Sequence, residues 1–176
     1  MNLDPPDREV ALHPGTEELQ RAAFEAIPTM CFVVDQAGLL LAVNGFGARA
    51  LGYSAGELIG RPWLNLYPES DRDSVRAHAD DCFREVGRVM QWETRKARRD
   101  GEIVQVRETG HTVLVNDRLV LFLACEDVTE RKRLEQALRQ SERYLAEAQR
   151  LSHTGSWTTS HVTGTTTHYS AEAFRL

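Results

Sequence analysis

The pattern of hydrophobic and polar positions between residues 16 and 127 predicts two helices and five strands. Apolar residues with the period of an α-helix predict an amphipathic helix over 16–27, ended by Pro28, and a longer helix over 71–86. Short apolar runs bounded by turn residues predict strands at 31–35, 39–43, 90–98, 103–115 and 119–126. Glycines and Pro62 in the segment 45–70 permit only short helices there.

The order of these elements predicts the fold class. Strands and helices do not alternate, which argues against a doubly wound parallel sheet. We therefore predict an α+β fold with one antiparallel sheet of five strands and helices on one face. Residues 119–125 are apolar on both faces of their strand, so both faces should be covered. The short helices would cover the inner face, and the helix over 16–27 or a partner chain would cover the outer one.

A charged helix is predicted after the last strand, over 129–150. Alternate steps of four and three residues, the spacing of a coiled-coil seam, separate Leu134, Leu138, Ser141, Leu145 and Ala148. This length is marginal for a coiled coil on its own. We interpret the segment as a linker helix that pairs when the neighbouring domains dimerise.

Composition and charge narrow the classes of protein to consider. The chain has 176 residues, 41% of them hydrophobic and 27% charged, as in an ordinary globular protein. Its net charge of −5 argues against a dedicated nucleic-acid binder. We find no apolar run of membrane-spanning length and no export signal. Three cysteines far apart in the sequence predict reduced thiols and a cytoplasmic location, and residues 1–15 are predicted to be a flexible tail.

Candidate chemical motifs have simpler interpretations. Residues 45–50 match the dinucleotide-binding spacing Gly-x-Gly-x-x-Ala, but Gly52 stops the long helix that a pyrophosphate site needs. The basic cluster at 95–99 is interpreted as the solvated face of an edge strand, with a phosphate or acidic-partner site as the alternative. Histidines and cysteines lack metal-ligand spacing, and no nucleophile elbow occurs. We predict no metal site, no catalytic residue and no enzymatic activity in this chain.

Strand parity predicts an apolar interior. Met90 and Trp92 share one face of their strand, and Val104 and Val106 share one face of theirs. With apolar residues of other elements they would line a pocket for a small apolar or aromatic ligand. The predicted ligand-binding residues are Phe32, Val43, Phe46, Leu51, Phe83, Met90, Trp92, Val104 and Val106.

Several motifs in this order resemble a PAS domain. They are Phe32-Val33-Val34-Asp35-x-x-Gly38, Val43-Asn44, Leu51-Gly52-Tyr53-Ser54-x-x-Glu57-Leu58-x-Gly60, Arg99-Asp100-Gly101 and the closing Asp127-Val128-Thr129-Glu130-Arg131-Lys132. The resemblance runs from about Thr16 to Lys132 and implies a PAS sensory domain at 16–130, followed by a helical linker at 131–150. It also implies a helical layer enclosing a small-molecule pocket, dimerisation through flanking helices, and a sensory role upstream of a histidine kinase, cyclase or similar output.

Departures from the family's motifs bear on cofactors. Flavin-binding light sensors of this family carry an Asn-Cys-Arg-Phe segment before the longer helix, and no cysteine here lies in one, so we expect no flavin. Haem-binding members use a histidine on the longer helix, where only His78 is available, at the margin of the apolar stripe. We expect no haem. Residues 151–176 resemble the start of a second PAS domain and are predicted to lack a core of their own.

Three functional hypotheses follow. In the first, a small apolar ligand shifts the sheet of a cytoplasmic, homodimeric sensory module, and Asp127, Thr129 and Arg131 relay the shift to the seam at Leu134 and Leu138. In the second, a ligand-free PAS module serves only protein–protein dimerisation. In the third, a redox enzyme uses the glycine cluster.

Overall fold

A five-stranded antiparallel sheet organises residues 30–127 of the computed structural model, as the sequence predicts. The structure describes residues 15–152 and two short strands at 157–159 and 166–169. The strands of the main sheet are β1 (Met30–Asp35), β2 (Leu40–Val43), β3 (Val89–Ala97), β4 (Ile103–Val115) and β5 (Arg118–Asp127). Their spatial order is β2-β1-β5-β4-β3, so β2 and β3 form the edges.

Helices precede, interrupt and follow the sheet. They are α1 (Thr16–Ala26), α2 (Gly45–Ala50), α3 (Ala55–Leu58), α4 (Arg72–Arg84) and α5 (Thr129–Ser152), with 3-10 turns at Trp63–Leu66 and Glu69–Asp71. None of these helices is long and apolar enough to cross a membrane. The chain divides into two compact units, 1–128 and 129–176.

Two more strands, β6 (Trp157–Thr159) and β7 (Thr166–Tyr169), pair antiparallel in the second unit. The sequence favours extended structure in this region. The predicted tail before residue 15 lies outside the described residues, as do positions 153–156, 160–165 and 170–176 of the segment that resembles the start of a second PAS domain.

Alternation along β4 and β5 directs one face of the sheet to the core. On β5, Leu121, Leu123 and Cys125 are buried, while Phe122 is 41% exposed. The expected cover on the outer face is therefore only partial in this chain, although Val33 and Val120 on that face are buried. Because no residue of α1 is buried, α1 does not form the packed outer cover that the sequence analysis considered.

Asn44 joins α1, β1 and α2. Its side chain is fully buried, and Oδ1 accepts hydrogen bonds from the backbone N–H of Cys31 at 3.0 Å and of Gly47 at 2.9 Å. The amide nitrogen lies 2.9 Å from the carbonyl oxygen of Thr29 and 3.1 Å from that of Ile27. The Asn44 side chain thus caps α2. It also donates hydrogen bonds to backbone carbonyls just after α1, which have no partner within a helix.

Gly47 explains the glycine spacing that resembles a dinucleotide motif. A Cβ at this position would lie 3.2 Å from the Cα of Met30 and 3.0 Å from Asn44 Oδ1. The absence of a side chain therefore lets α2 pack directly on β1. Packing accounts for this glycine in the structure, without a phosphate ligand.

Replacing Asn44 by alanine should lower the free energy of unfolding by about 2 kcal/mol or more, because several buried backbone groups would lose their partners. Asn65→Ala is the matched control, since Asn65 is exposed and its side chain makes no hydrogen bond within the described chain. Urea unfolding of both variants measures the difference. Equal stability of the two variants would contradict the role given to Asn44.

Candidate functional site

Two charged residues lie on the inner face of the sheet, inside the core. Lys96 on β3 is 1% exposed and Glu108 on β4 is fully buried. Both side chains lie on the face of their strand that points to the core. Lys96 shares this face of β3 with Trp92, and Glu108 shares this face of β4 with Val104 and Val106. The interior behind α4 and the short helices is therefore not purely apolar.

The two charges form an ion pair completed by a tyrosine. Lys96 Nζ lies 2.8 Å from Glu108 Oε1 and donates a 2.6 Å hydrogen bond to the hydroxyl of Tyr67. That hydroxyl donates to Glu108 Oε1 at 2.8 Å. The ammonium also lies 4.8 Å from the centre of the Phe32 ring, within range of a cation–π interaction.

Two further donors satisfy the carboxylate. Trp92 Nε1 donates to Glu108 Oε2 at 3.0 Å, and the Cys125 thiol donates to Oε1 at 3.3 Å. Both carboxylate oxygens therefore have partners, which a buried charge requires if it is not to destabilise the fold. We call the five residues Tyr67, Trp92, Lys96, Glu108 and Cys125 the core polar cluster.

Burial and the neighbouring carboxylate suppress ionisation of Tyr67 and Cys125 in the core polar cluster. Burial raises the pKa of Tyr67 well above its usual value, and the Glu108 carboxylate raises it further. Burial, and then Glu108, likewise raise the pKa of the Cys125 thiol. The pKa of the nearby Cys82 thiol is raised to about 11, chiefly by burial. At neutral pH these thiols are protonated and unreactive.

The structure brings most of the predicted lining residues into one core. Six of them are buried together: Phe32, Val43, Leu51, Trp92, Val104 and Val106. Phe83 and Met90 are partly buried and pack against that core. Ligand binding by these residues stays a prediction.

Phe46 differs from the expectation, since it is 41% exposed. The short helix α2 turns Gly47 and Ala48 toward β1, and both are buried. Phe46 consequently lies on the other side of α2, away from the core. The six-residue helix offers only one inward stripe, which the small residues occupy.

His78, the one haem candidate, packs against an aromatic ring. Its imidazole stacks on the indole of Trp92 with centroids 5.0 Å apart and an interplanar angle of 4°. Its buried Nδ1 has no hydrogen-bond partner among the residues that the structure describes. The stack connects α4, which carries His78, to the core polar cluster, because the same indole donates to Glu108.

Sequence analysis missed the core polar cluster because it interpreted residues 95–99 as a solvated basic face. The same parity that directs Met90 and Trp92 inward also directs Lys96 inward, and β3 remains an edge strand. Arg95, by contrast, pairs with Asp71 at 2.6 Å near the surface. The alternation of buried and exposed residues along β4, extended from Val106 to Glu108, would have identified Glu108 as a buried carboxylate and a partner for Lys96.

The predicted relay residues begin where the sheet ends. Asp127 lies 3.7 Å from Arg98, and the backbone N–H of Val128 donates to Gln105 at 2.9 Å. Thr129 and Arg131 belong to the first turn of α5, and Leu134 and Leu138 are each 62% exposed on that helix.

A double-mutant cycle tests the ion pair. Glu108→Gln and Lys96→Met should each lower the free energy of unfolding by about 3 kcal/mol or more, because each leaves a buried charge or polar group unpaired. The double variant should lose much less than the sum of the two. Arg84→Met is the control, since the Arg84 side chain is 72% exposed in its pair with Asp81. Strictly additive losses would contradict the pairing.

Known proteins match this fold over most of the chain. The sequence matches the family described as PAS fold over residues 18–128. No curated protein matches it.

Solved structures agree with that match. The PAS domain of an HTR-like protein from Haloarcula marismortui has a TM-score of 0.58 and 24% identity, covering 64% of this chain and 91% of that one. A domain of a sensory box sensor histidine kinase/response regulator from Geobacter sulfurreducens has a TM-score of 0.52 and 26% identity, covering 61% and 91%. An RNA-binding light-oxygen-voltage receptor has a TM-score of 0.62 and 22% identity, covering 81% and 41%. The chain belongs to the PAS family, whose domains are generally sensory, non-catalytic modules.

Proposed function

We propose that this chain is the sensory input and dimerisation module of a signalling protein, and that it acts through α5. The observation that carries the proposal is an exposed apolar stripe along this helix. Leu134, Leu138 and Leu145 are 62%, 62% and 59% exposed, at the spacing of a coiled-coil seam. A second copy of α5, parallel to the first, would bury them.

The stability of α5 depends little on contacts within the described chain, which is consistent with a helix that pairs with a second copy. No residue of the helix is buried, so tertiary packing does not supply its stability. Ion pairs one turn apart, such as Arg131 with Glu135 at 3.0 Å, contribute only a few tenths of a kcal/mol each. Pairing of the seam would supply the missing burial.

The relay proposal rests on how β5 ends. The carboxylate of Asp127 pairs with Arg98, and Val128 bonds to β4 and is 1% exposed. Only then does the chain enter α5. A shift of β4 against β5 would therefore be passed to the first turn of α5 through one buried residue.

A histidine kinase is the proposed output. The Geobacter relative of 26% identity is part of a sensor histidine kinase/response regulator, which supports this choice. Residues 151–176 would then begin a further PAS domain between input and output. A cytoplasmic location is proposed with it.

The core polar cluster favours a closed interior over an apolar ligand chamber. Tyr67, Trp92, Lys96 and Glu108 are all nearly or fully buried and bonded to one another. An apolar ligand that displaced these side chains would leave the charges of Lys96 and Glu108 unpaired inside the core. The second candidate function, a ligand-free dimerisation module, draws its support from this observation.

Replacing Leu138 by aspartate should weaken dimerisation of the full chain at least about tenfold, because it places a charge in the apolar seam. Gln136→Asp is the matched control on the opposite side of the helix. Sedimentation velocity across a range of concentrations measures both. The proposed seam fails if Leu138→Asp dimerises as well as the control, or if the unchanged chain stays monomeric.

Deleting Arg133 should change signalling output in the full-length protein, since removing one residue rotates the seam by about 100° relative to the sheet. Duplicating residues 133–139 is the control, because the insertion adds two turns, keeps the phase and keeps both seam leucines of this segment. Output of the intact protein, measured as autophosphorylation if it is a kinase, is the readout. An unchanged response to the single deletion would overturn the relay.

A further inference from the structure

A surface cleft of ≈ 340 Å³ lies beside the core polar cluster but outside it. The β1–β2 turn at 35–38, the segment 62–64 and one side of α4 form its walls. Its volume falls at the lower end of the range for small-molecule sites, ~300–1,000 Å³. The cleft is thus large enough for a small metabolite.

Backbone hydrogen bonds hold the walls of this cleft in place. Trp63 N–H donates to the carbonyl of Gly38 at 3.1 Å, and Leu39 N–H donates to Asp35 Oδ1 at 2.8 Å. Gly38 takes a φ of 80°, a conformation that suits glycine, and a Cβ there would lie 3.4 Å from the Trp63 indole. A preformed site costs less ordering entropy on binding than a mobile one.

The polar groups of the cleft have opposite charges that do not neutralise one another directly. Arg76 and Asp80 lie one turn apart on α4, at a spacing that commonly gives an ion pair. Within the described residues, however, the Arg76 guanidinium and the Asp80 carboxylate make no hydrogen bond or ion pair. Asp35 adds a second carboxylate on the facing turn.

Apolar side chains complete the lining. Phe83 is partly buried on α4, and the Trp63 indole forms part of the opposite wall. The cleft therefore offers a guanidinium fork for a carboxylate, carboxylates for an ammonium group, and aromatic surface for an apolar side chain.

We infer that this cleft binds a small zwitterion of the α-amino-acid class with an apolar or aromatic side chain. Arg76 binds its carboxylate, Asp80 and Asp35 bind its ammonium group, and Phe83 and Trp63 contact its side chain. This inference rests on the sensory role proposed above and gives that role a ligand class.

The position of Trp63 connects this cleft to the sheet. Trp63 is 4% exposed, and its ring meets Tyr67 edge to face with centroids 5.1 Å apart. Tyr67 in turn bonds to both charges of the ion pair. A ligand that moves Trp63 thus acts on the core polar cluster without entering the core.

L-Phenylalanine is the probe, titrated into the ¹⁵N-labelled full chain at millimolar concentrations. We expect saturable shifts at Gly38, Ala79 and the Trp63 indole N–H. Phenethylamine, which lacks the carboxylate, and 3-phenylpropionate, which lacks the amine, should each bind at least about tenfold more weakly. Arg76→Met and Asp80→Asn should each weaken phenylalanine binding to a similar degree.

Arg88→Met and Asp73→Asn are the matched controls, because both residues are exposed and neither lines the cleft. Absence of saturable shifts with phenylalanine, or binding that Arg76→Met and Asp80→Asn leave unchanged, would overturn the inference. Equal binding of phenethylamine would replace the zwitterion by an amine and also overturn it. Sedimentation of the same samples reports dimerisation separately, so failure of the cleft is distinguishable from failure of the α5 seam.

Discussion

The buried ion pair between Lys96 and Glu108 is the constraint around which the inner face of this sheet is built. Its 2.8 Å contact joins β3 to β4 through side chains, and Tyr67 joins both to the helical layer. Trp92 and Cys125 complete the carboxylate's partners. Removing water from two charges is costly, so the arrangement is favourable only while every donor and acceptor keeps its place.

This constraint separates two tasks that a single internal pocket would combine. The core polar cluster joins the strands inside the core, and the cleft proposed as the ligand site lies at its border. Trp63 belongs to both, since it lines the cleft and contacts Tyr67. Movement of β4 and β5 would then reach α5 through Asp127 and Val128. In this proposal a ligand acts on the sheet from the surface cleft, while the core stays packed.

Periodicity predicted elements such as β4 and α4 because their apolar positions fall on one face. Alternation at Val104 and Val106 and the turn at Asp100-Gly101 were enough to predict β4 and its hairpin. Alternation places Lys96 inside as well, but a lysine in a basic run is usually exposed, and the partner of Lys96 lies on another strand. The predicted inward position of Phe46 is wrong for the opposite reason. Phe46 was placed inside because its side chain is apolar, but the small residues of α2 make the contact with β1. Alternation along β4 also puts Glu108 inside, but its contact with Tyr67 depends on the tertiary fold and not on the periodicity of the sequence.

The central claim is that the chain's own side chains close the core of this PAS domain around the ion pair. Xenon enters apolar cavities of proteins and leaves well-packed regions untouched, so it tests the claim directly. The measurement is the methyl NMR spectrum of the full chain under increasing xenon pressure. We expect no saturable shift at the methyl groups of Val106, Leu121 and Leu123, which line the inner face. Saturable shifts at these methyl groups would reveal an internal apolar chamber and contradict the account.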